Sequence, residues 1–373
     1  MLKILFTGGA TGGHIYPIIA VARDVKLAAK KNNIPVELLF AGPADFNLEL
    51  LRQEGISTYR VPAGKFRRYV SWRAPLDALK AVGGFFYALA LVWWIMPDVI
   101  FAKGGYGGFS VAFVGRIYAI PLLVHDSDSV PGLANRILGA VATRVAISFP
   151  TAAKYFSAKK TAYVGNPVRS QLLLGSKEKA KTLFGLKADR PLILVLGGSQ
   201  GSTRLNTIIA ASLKELLPSY EVLHQAGSLN TESFLEELRE IYGVDHKGEE
   251  YYHIKGYFSE EEVASALGAC DIVVSRAGAG SIFEIAAWGK PSVLIPLQEA
   301  ASDHQRANAF FYARAGAAVV IEEANLSPHI LLSEIESILK NKNRQLEMSK
   351  AAKEFSKQDA AKKIAEGLLE LAL

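Results

Sequence analysis

One plan is written into this chain twice, and that restricts its fold more than any other feature. Near the start, Leu2-Lys3-Ile4-Leu5-Phe6 runs into Thr7-Gly8-Gly9-Ala10-Thr11-Gly12-Gly13 and then a helical pattern from Ile15 to about Lys31. Later, Leu192-Ile193-Leu194-Val195-Leu196 runs into Gly197-Gly198-Ser199-Gln200-Gly201 and a helical pattern from about Thr203 to Leu217. A second echo lies deeper in each half. Asp98-Val99-Ile100-Phe101-Ala102-Lys103-Gly104-Gly105-Tyr106-Gly107-Gly108 is matched 173 residues on by Asp271-Ile272-Val273-Val274-Ser275-Arg276-Ala277-Gly278-Ala279-Gly280-Ser281. A helix-like stretch follows each, and then a proline-led strand, Pro121-Leu122-Leu123-Val124 or Pro291-Ser292-Val293-Leu294-Ile295.

Strands that alternate with helices form parallel sheets, because consecutive parallel strands need a crossover and the crossover is right-handed. The pattern therefore predicts an α/β chain of two Rossmann-like domains in tandem. They would span 1–164 and 165–350 and meet near Val164-Gly165-Asn166-Pro167-Val168, with a lysine-rich helical tail over 351–373 that can pack back on the first domain. Two domains also suit 373 residues. Half the residues are apolar and 21% are charged, which excludes a disordered or collagen-like chain.

The single cysteine, Cys270, excludes an internal disulfide, and its setting in Ala269-Cys270-Asp271-Ile272-Val273-Val274 reads as core beside a buried strand. A reducing compartment is expected. Met1 to Phe6 is too short for the apolar segment of a secretory signal, so the chain is expected to stay in the cytoplasm. The longest uncharged apolar stretch, Ala81 to Met96, has 16 residues. That is short of the roughly 18 to 20 that span a bilayer, though it can lie on one. Residues 1–165 hold 19 Lys+Arg against 9 Asp+Glu, and the remainder 23 against 27, so the basic character belongs to the first half. A basic half can serve nucleic acid, anionic lipid or phosphorylated substrates, and composition alone does not choose among them; no zinc-finger, homeodomain-like or RNA-recognition signature accompanies it, and nucleic acid is not expected as a partner.

A glycine loop between strand and helix brings backbone N–H groups and the positive end of the helix dipole to an anion. Four such loops imply a phosphorylated ligand. Dinucleotide binding by Gly-x-Gly-x-x-Gly fails, because Ala10 replaces the middle glycine and the loop at 197–201 lacks the spacing; neither loop carries a Walker lysine. Gly197-Gly198-Ser199-Gln200-Gly201 satisfies Gly-x-Ser-x-Gly, the setting of a hydrolase nucleophile, but no oxyanion motif accompanies it. Asp126-Ser127-Asp128 is an acid-x-acid pattern of the kind that can hold a divalent metal on a nucleotide-sugar. Zinc-ligand spacings are absent.

Taken in order, several segments resemble one family over nearly the whole chain. They are Gly8 through Pro17, Gly104-Gly105-Tyr106, His125-Asp126-Ser127-Asp128 with Pro131-Gly132-Leu133-Ala134-Asn135, Gly165-Asn166-Pro167-Val168-Arg169, Gly197 through Gly201, and Ser275-Arg276-Ala277-Gly278 through Glu284. Together they are similar to the MurG family of peptidoglycan glycosyltransferases, whose two Rossmann-like domains face a cleft (the GT-B class). The resemblance implies inverting transfer of N-acetylglucosamine from UDP-N-acetylglucosamine to the 4-hydroxyl of the muramyl sugar of lipid I, giving lipid II, without a cofactor or metal. On the donor side it points to Arg169 and Ser199 at the diphosphate, to Ala279, Gly280, Ser281, Ile282, Phe283 and Glu284, to Gln305 on the transferred sugar and to Phe258 near uracil. Glu284 would accept hydrogen bonds from the ribose hydroxyls.

Thr11, Gly12 and Gly13 would cradle the lipid diphosphate or approach the donor. His14, Tyr106, Asp126, Ser127 and Asp128 would form the acceptor site, with His14 and Asp126 as the candidate bases, or His14 as a phosphate ligand. Asp126 stands where the family more often has glutamate, one carbon–carbon bond longer. To reach a lipid substrate, Lys65-Phe66-Arg67-Arg68-Tyr69 and Arg73 precede the apolar stretch Phe85 to Met96 with Trp93 and Trp94, as expected of a peripheral contact with the cytoplasmic face of the membrane. A transferase acting on another glycolipid, a UDP-sugar epimerase and a catalytically silent nucleotide-sugar-binding protein are the alternatives.

Overall fold

The computed structural model describes residues 1–9, 11–43, 48–64, 74–198, 201–228, 231–242, 249–298 and 303–373. These form two compact units. One comprises Met1–Arg169 with Gln358–Leu373, the other Ser170–Lys357.

In the first unit seven strands run in parallel: β1 (Leu2–Thr7), β2 (Val36–Gly42), β3 (Ser57–Arg60), β4 (Val99–Ala102), β5 (Leu122–Asp126), β6 (Arg144–Ile147) and β7 (Thr161–Tyr163). Their order is β3-β2-β1-β4-β5-β6-β7, with Phe6 level with Phe40 on one side and Phe101 on the other. Every residue of β4 and β5 is buried, as expected of strands covered on both faces. The helices α1 (Gly12–Lys31), α2 (Leu48–Gln53), α3 (Ala74–Ile95), α4 (Tyr106–Ile117) and α5 (Leu133–Val141) connect them.

The second unit repeats the plan with β8 (Leu192–Leu196), β9 (Glu221–Gln225), β10 (Tyr252–Lys255), β11 (Ile272–Ser275), β12 (Ser292–Leu294) and β13 (Ala318–Val320) in the parallel order β10-β9-β8-β11-β12-β13. Its helices are α6 (Lys177–Phe184), α7 (Thr203–Leu216), α8 (Thr231–Tyr242), α9 (Glu260–Ala269), α10 (Ala279–Trp288), α11 (His304–Arg314), α12 (Pro328–Leu339) and α13 (Lys342–Phe355). Cys270 follows α9 in the core, and burial pushes its thiol up to about 12.

The tail divides between the units. α13 stays with the second, whereas α14 (Ala360–Ala372) packs on α1 of the first. Ile364, Ala365, Leu368 and Leu369 enter the core formed by Ile15, Ile18 and Val25, and Glu370 pairs with Arg144 at 2.6 Å. Burying each large aliphatic side chain contributes about 1.5–3 kcal/mol, so the chain's last turns help hold its first domain.

Candidate functional site

In the first unit the sheet order reverses between β1 and β4. At such a switch point the connections from neighbouring strands depart to opposite faces and leave a crevice at the strands' carboxyl ends. Both glycine loops of this half leave from there. Gly9 N donates to Gly104 O at 3.0 Å and Lys103 N to Thr7 O at 2.9 Å, tying the loops backbone to backbone.

Helix α1 starts at Gly12, three residues before the sequence pattern suggests. Thr11 is extended and serves as N-cap, its carbonyl accepting from His14 N at 2.9 Å and Ile15 N at 3.1 Å. Glycine is costly in a helix interior but not in a first turn, whose N–H groups lack helical partners in any case. Thr11 Oγ1 lies 2.8 Å from His14 Nδ1. Two glycines seat the imidazole: a Cβ on Gly9 would fall 2.9 Å from Nδ1, and one on Gly105, at φ +79°, 3.1 Å from Nε2. Burial, with Lys103 adding and Asp128 opposing, pushes His14 down to about 4. It is therefore neutral at ordinary pH.

Asp126 ends β5 with both oxygens engaged. Asn135 Nδ2 donates to Oδ2 at 2.7 Å and Asp128 N to Oδ1 at 3.0 Å. Burial and the neighbouring Asp128 raise it above the usual carboxylate range. Ser127 Oγ donates to Asn166 Oδ1 at 2.7 Å. His125 is buried outright, its Nε2 within 3.0 Å of Gly165 O and 3.2 Å of Ser148 Oγ, and its ring stacks on Phe101. Tyr106 opens α4 and stays partly exposed. Arg169 belongs to this unit, its guanidinium 4.0 Å over the ring of Tyr16 on α1. The structure thus brings together Thr11, His14, Asp126, Ser127 and Asp128.

It adds a residue that the motif reading passed over. Lys103, 3% exposed, donates to Ser127 Oγ, and burial pushes its ammonium down to about 8 against the pull of Asp126 and Asp128. A lysine closing an otherwise apolar strand directly before Gly104-Gly105 was the available signal.

The second unit has its own switch point, between β8 and β11. Ser199 lies outside the described residues. Ser202 caps α7, its Oγ accepting from Leu205 N at 3.3 Å. Arg276, at the end of β11, donates to that Oγ from Nη2 at 2.6 Å and to Glu323 Oε1 at 2.6 Å. Burial alone would raise Glu323; the hydrogen bonds from Arg276 and from Gln298 N outweigh it and hold the carboxyl below its usual range. Arg276 thus ties the loop after β8, its own strand and Glu323 into one piece, a function that the sequence motif did not disclose.

Helix α10 begins at Ala279, and the N–H groups of Ala279, Gly280 and Ser281 precede its first internal bond, Ile282 N to Gly278 O at 3.1 Å. Ile282 and Phe283 fill the core, Phe283 against Phe355 at 5.3 Å, so a ligand can meet only their backbone. Ser281 and Glu284 are half-buried at the same helix end. Gln305 Oε1 accepts from Leu297 N at 3.0 Å and so pins the loop after β12. Phe258 is 1% exposed against Phe184, leaving only its backbone for a base. Among the described residues no group of three or more His, Cys, Asp or Glu is placed to hold a metal ion.

Comparison with known proteins agrees with this architecture. The family model "Glycosyltransferase family 28 N-terminal domain" matches residues 4–147, and "Glycosyltransferase family 28 C-terminal domain" matches 192–364. A protein of Clostridium tetani named UDP-N-acetylglucosamine--N-acetylmuramyl-(pentapeptide) pyrophosphoryl-undecaprenol N-acetylglucosamine transferase is 33% identical over 350 residues, 93% of each chain. A protein of the same name from Clostridium kluyveri is 33% identical over 366 residues, 98% of each. The crystal structure of Acinetobacter baumannii MurG superposes with a TM-score of 0.73 at 25% identity, covering 99% of this chain and 100% of that one. A UDP-GlcNAc 2-epimerase from Neisseria meningitidis, at 13% identity and a TM-score of 0.68, shares the fold alone. With two GT-B-type Rossmann-like domains, both family 28 domains and relatives of this identity over nearly full length, the chain belongs to the MurG family of N-acetylglucosaminyltransferases.

Proposed function

We propose that this protein transfers N-acetylglucosamine from UDP-N-acetylglucosamine to the 4-hydroxyl of the muramyl sugar of lipid I, with inversion, giving the lipid II used in peptidoglycan synthesis. The observation that carries the reading is the His14 imidazole seated between two glycine loops at the switch point of the first unit, where burial holds it below its ordinary range. Transfer requires the acceptor hydroxyl to lose its proton as its oxygen bonds to the sugar's anomeric carbon. The carbon–oxygen bond to UDP breaks at the same time, and its electron pair leaves with the diphosphate. A neutral, half-buried imidazole is suited to take that proton. Asp126, whose oxygens are both committed to Asn135 and Asp128, instead orients the acceptor loop.

Charge developing on UDP calls for donors fixed in advance. The N–H groups at the start of α10, Ser199 and Arg169 are assigned to it, Glu284 to the ribose hydroxyls and Gln305 to the sugar. On the acceptor side, Thr11 to Gly13, Tyr106, Ser127 and Asp128 hold lipid I.

Contact with the membrane is assigned to α3. Its residues Ala88, Leu91, Val92 and Ile95 form a buried helical stripe, while Val82, Phe86, Trp93 and Trp94 stay 56–66% exposed. A helix apolar on both faces needs cover on the outer one, and interfacial tryptophans suit the headgroup boundary. Among the described residues no helix is long and apolar enough to cross a membrane. We assign a peripheral contact, at the cytoplasmic face. The basic residues Lys65, Arg67, Arg68 and Arg73 lie outside the described residues. Replacing Trp93 and Trp94 by serine is expected to lower binding to anionic liposomes severalfold with an unchanged melting temperature; a destabilised protein would return both rings to the core.

The deciding experiment measures UDP release from UDP-N-acetylglucosamine with and without a soluble-tailed lipid I analogue and identifies the glycan. Acceptor-dependent release with a β-1,4-linked disaccharide is the expected result. Turnover of the donor without acceptor would show an epimerase or hydrolase, and binding without turnover a silent protein.

A further inference from the structure

Glu323 belongs to no sequence motif, yet it stands where two loops of the second unit meet. It opens the short turn after β13 and is 9% exposed. Acids are rarely buried this far without partners, and here each oxygen has one. Oε1 accepts from Arg276 Nη2 at 2.6 Å, and the same guanidinium nitrogen reaches the hydroxyl of Ser202, the N-cap of α7 at the end of the glycine loop. Oε2 accepts from Gln298 N at 3.2 Å, in the loop after β12. The preceding amide, Leu297 N, donates to Gln305 Oε1 at 3.0 Å. Two successive N–H groups of that loop are thus taken by two side chains, one from the turn after β13 and one from α11.

The consequence falls on Gln305. A side-chain amide has one acceptor oxygen and one donor nitrogen; here the oxygen is spent on the loop, which leaves Nε2 to donate elsewhere. Where that nitrogen points follows from where Leu297 N is held, and the bond from its neighbour Gln298 to Glu323 holds it. We propose that Glu323 is a positioning residue for the donor sugar: it fixes the loop after β12 against the arginine-braced glycine loop and so aims the Gln305 amide at the N-acetylglucosamine to be transferred. This rests on the reading of Gln305 as the residue on the sugar. The position calls for an acid, because only a carboxylate accepts on both sides. A glutamine would give its oxygen to the guanidinium, the stronger partner, and turn an NH2 toward Gln298 N, donor against donor. Arg276 also holds Ser202 and the Ile295 carbonyl, so the nucleotide side keeps its brace when Glu323 is changed.

The test uses the full chain with Glu323→Gln. Hydrogen exchange at the Gln298 amide, followed by NMR, is expected to accelerate roughly tenfold, since its bond to a charged acceptor is gone. With a soluble-tailed lipid I analogue as acceptor, kcat/KM for UDP-N-acetylglucosamine should fall about tenfold, because a misaimed sugar contact costs turnover. The Kd for UDP, which carries no sugar, should stay within about twofold. A general loosening of the fold would not separate the two ligands. Glu323→Asp serves as a second variant should the glutamine disturb the fold: it keeps a charge for Arg276 but is one carbon–carbon bond short of spanning both partners. In a folded variant an unmoved Gln298 amide overturns the proposal. So does a loss of UDP affinity as large as the loss in kcat/KM, which would place Glu323 with the diphosphate loop instead. Faster exchange at Gln298 while Gln305→Ala keeps the full kcat/KM for the donor supports the hold of Glu323 on the loop and overturns the sugar assignment beneath it, so the two failures are distinguishable.

Discussion

The switch points of the two units are built on the same frame and finished differently. In each, an aspartate opens the fourth strand and closes a pair of bonds to the first. Asp98 accepts from Lys3 N at 2.7 Å and Asp98 N donates to Lys3 O at 2.9 Å; Asp271 does the same with Leu192 at 2.7 and 2.9 Å. Each of these strands leads into a buried cation, Lys103 or Arg276, directly before its glycine loop. Arg276 spends its donors on Ser202, Glu323 and the Ile295 carbonyl, so its charge is neutralised on the spot. Lys103 meets a hydroxyl, and its charge acts on His14 and the aspartates around it. A paired cation makes a rigid frame for the loops around it, whereas one that meets a neutral hydroxyl bears more of the cost of its own burial.

If this contrast is right, the largest effect should come from Arg276→Met. It leaves Glu323 buried with its main partner gone, a situation that costs about 3–5 kcal/mol. Urea unfolding should show the midpoint of the second unit falling, with the first unaffected. Adding Glu323→Gln should recover much of the loss, because the uncompensated charge goes with it. Lys103→Met breaks no close ion pair and removes a charge that folding desolvates, so the same assay at neutral pH should show no loss of stability. Equal losses at the two positions would erase the distinction.

A smaller effect is expected from Glu284→Ala. Losing charged hydrogen bonds to a ribose costs about 1.5–3 kcal/mol, which is roughly a 10- to 100-fold rise in donor KM with kcat little changed. Because Glu284 stands one turn into α10 on the second unit alone, acceptor KM should not move. An unchanged donor KM would remove the ribose assignment.

Much of this was legible in the chain itself. The offset of 173 residues located both switch points, because a strand, a glycine loop and a helix leave a local pattern. His14 and Glu284 stood out for the same reason, each a polar residue near the start of a glycine-led helix. What stayed hidden depends on contacts across sequence. Arg276 lay inside a quoted motif, yet its partners Ser202 and Glu323 are 74 and 47 residues away, and only the fold brings them to it. Lys103 was equally visible and equally unassigned, with Ser127 24 residues on. In the opposite direction, Ile282 and Phe283 entered the donor list through their motif, although helical spacing turns both into the core. The start of α1 was placed late because glycine reads as a breaker until Thr11 is seen to cap it.

The finest test of the contrast reads stability against pH. Folding lowers Lys103 from about 10.5 to about 8 by burying its charge. Below the folded value the ammonium is charged in both states and the folded state bears the whole burial cost. Above the unfolded value it is neutral in both and the cost is gone. Between them the unfolded chain holds more protons, so this group makes stability rise with pH, by at most about 1.4 kcal/mol per unit. Other groups titrate in the same range, but they are common to Lys103→Met, so the wild type minus the variant isolates the term. That difference should climb from pH 8 to 10.5, whereas the corresponding difference for Arg276→Met should stay level, because a guanidinium keeps its proton throughout. A level difference for Lys103 as well would mean that its ammonium is as well compensated as the guanidinium, and the two switch points would then differ in side chain but not in design.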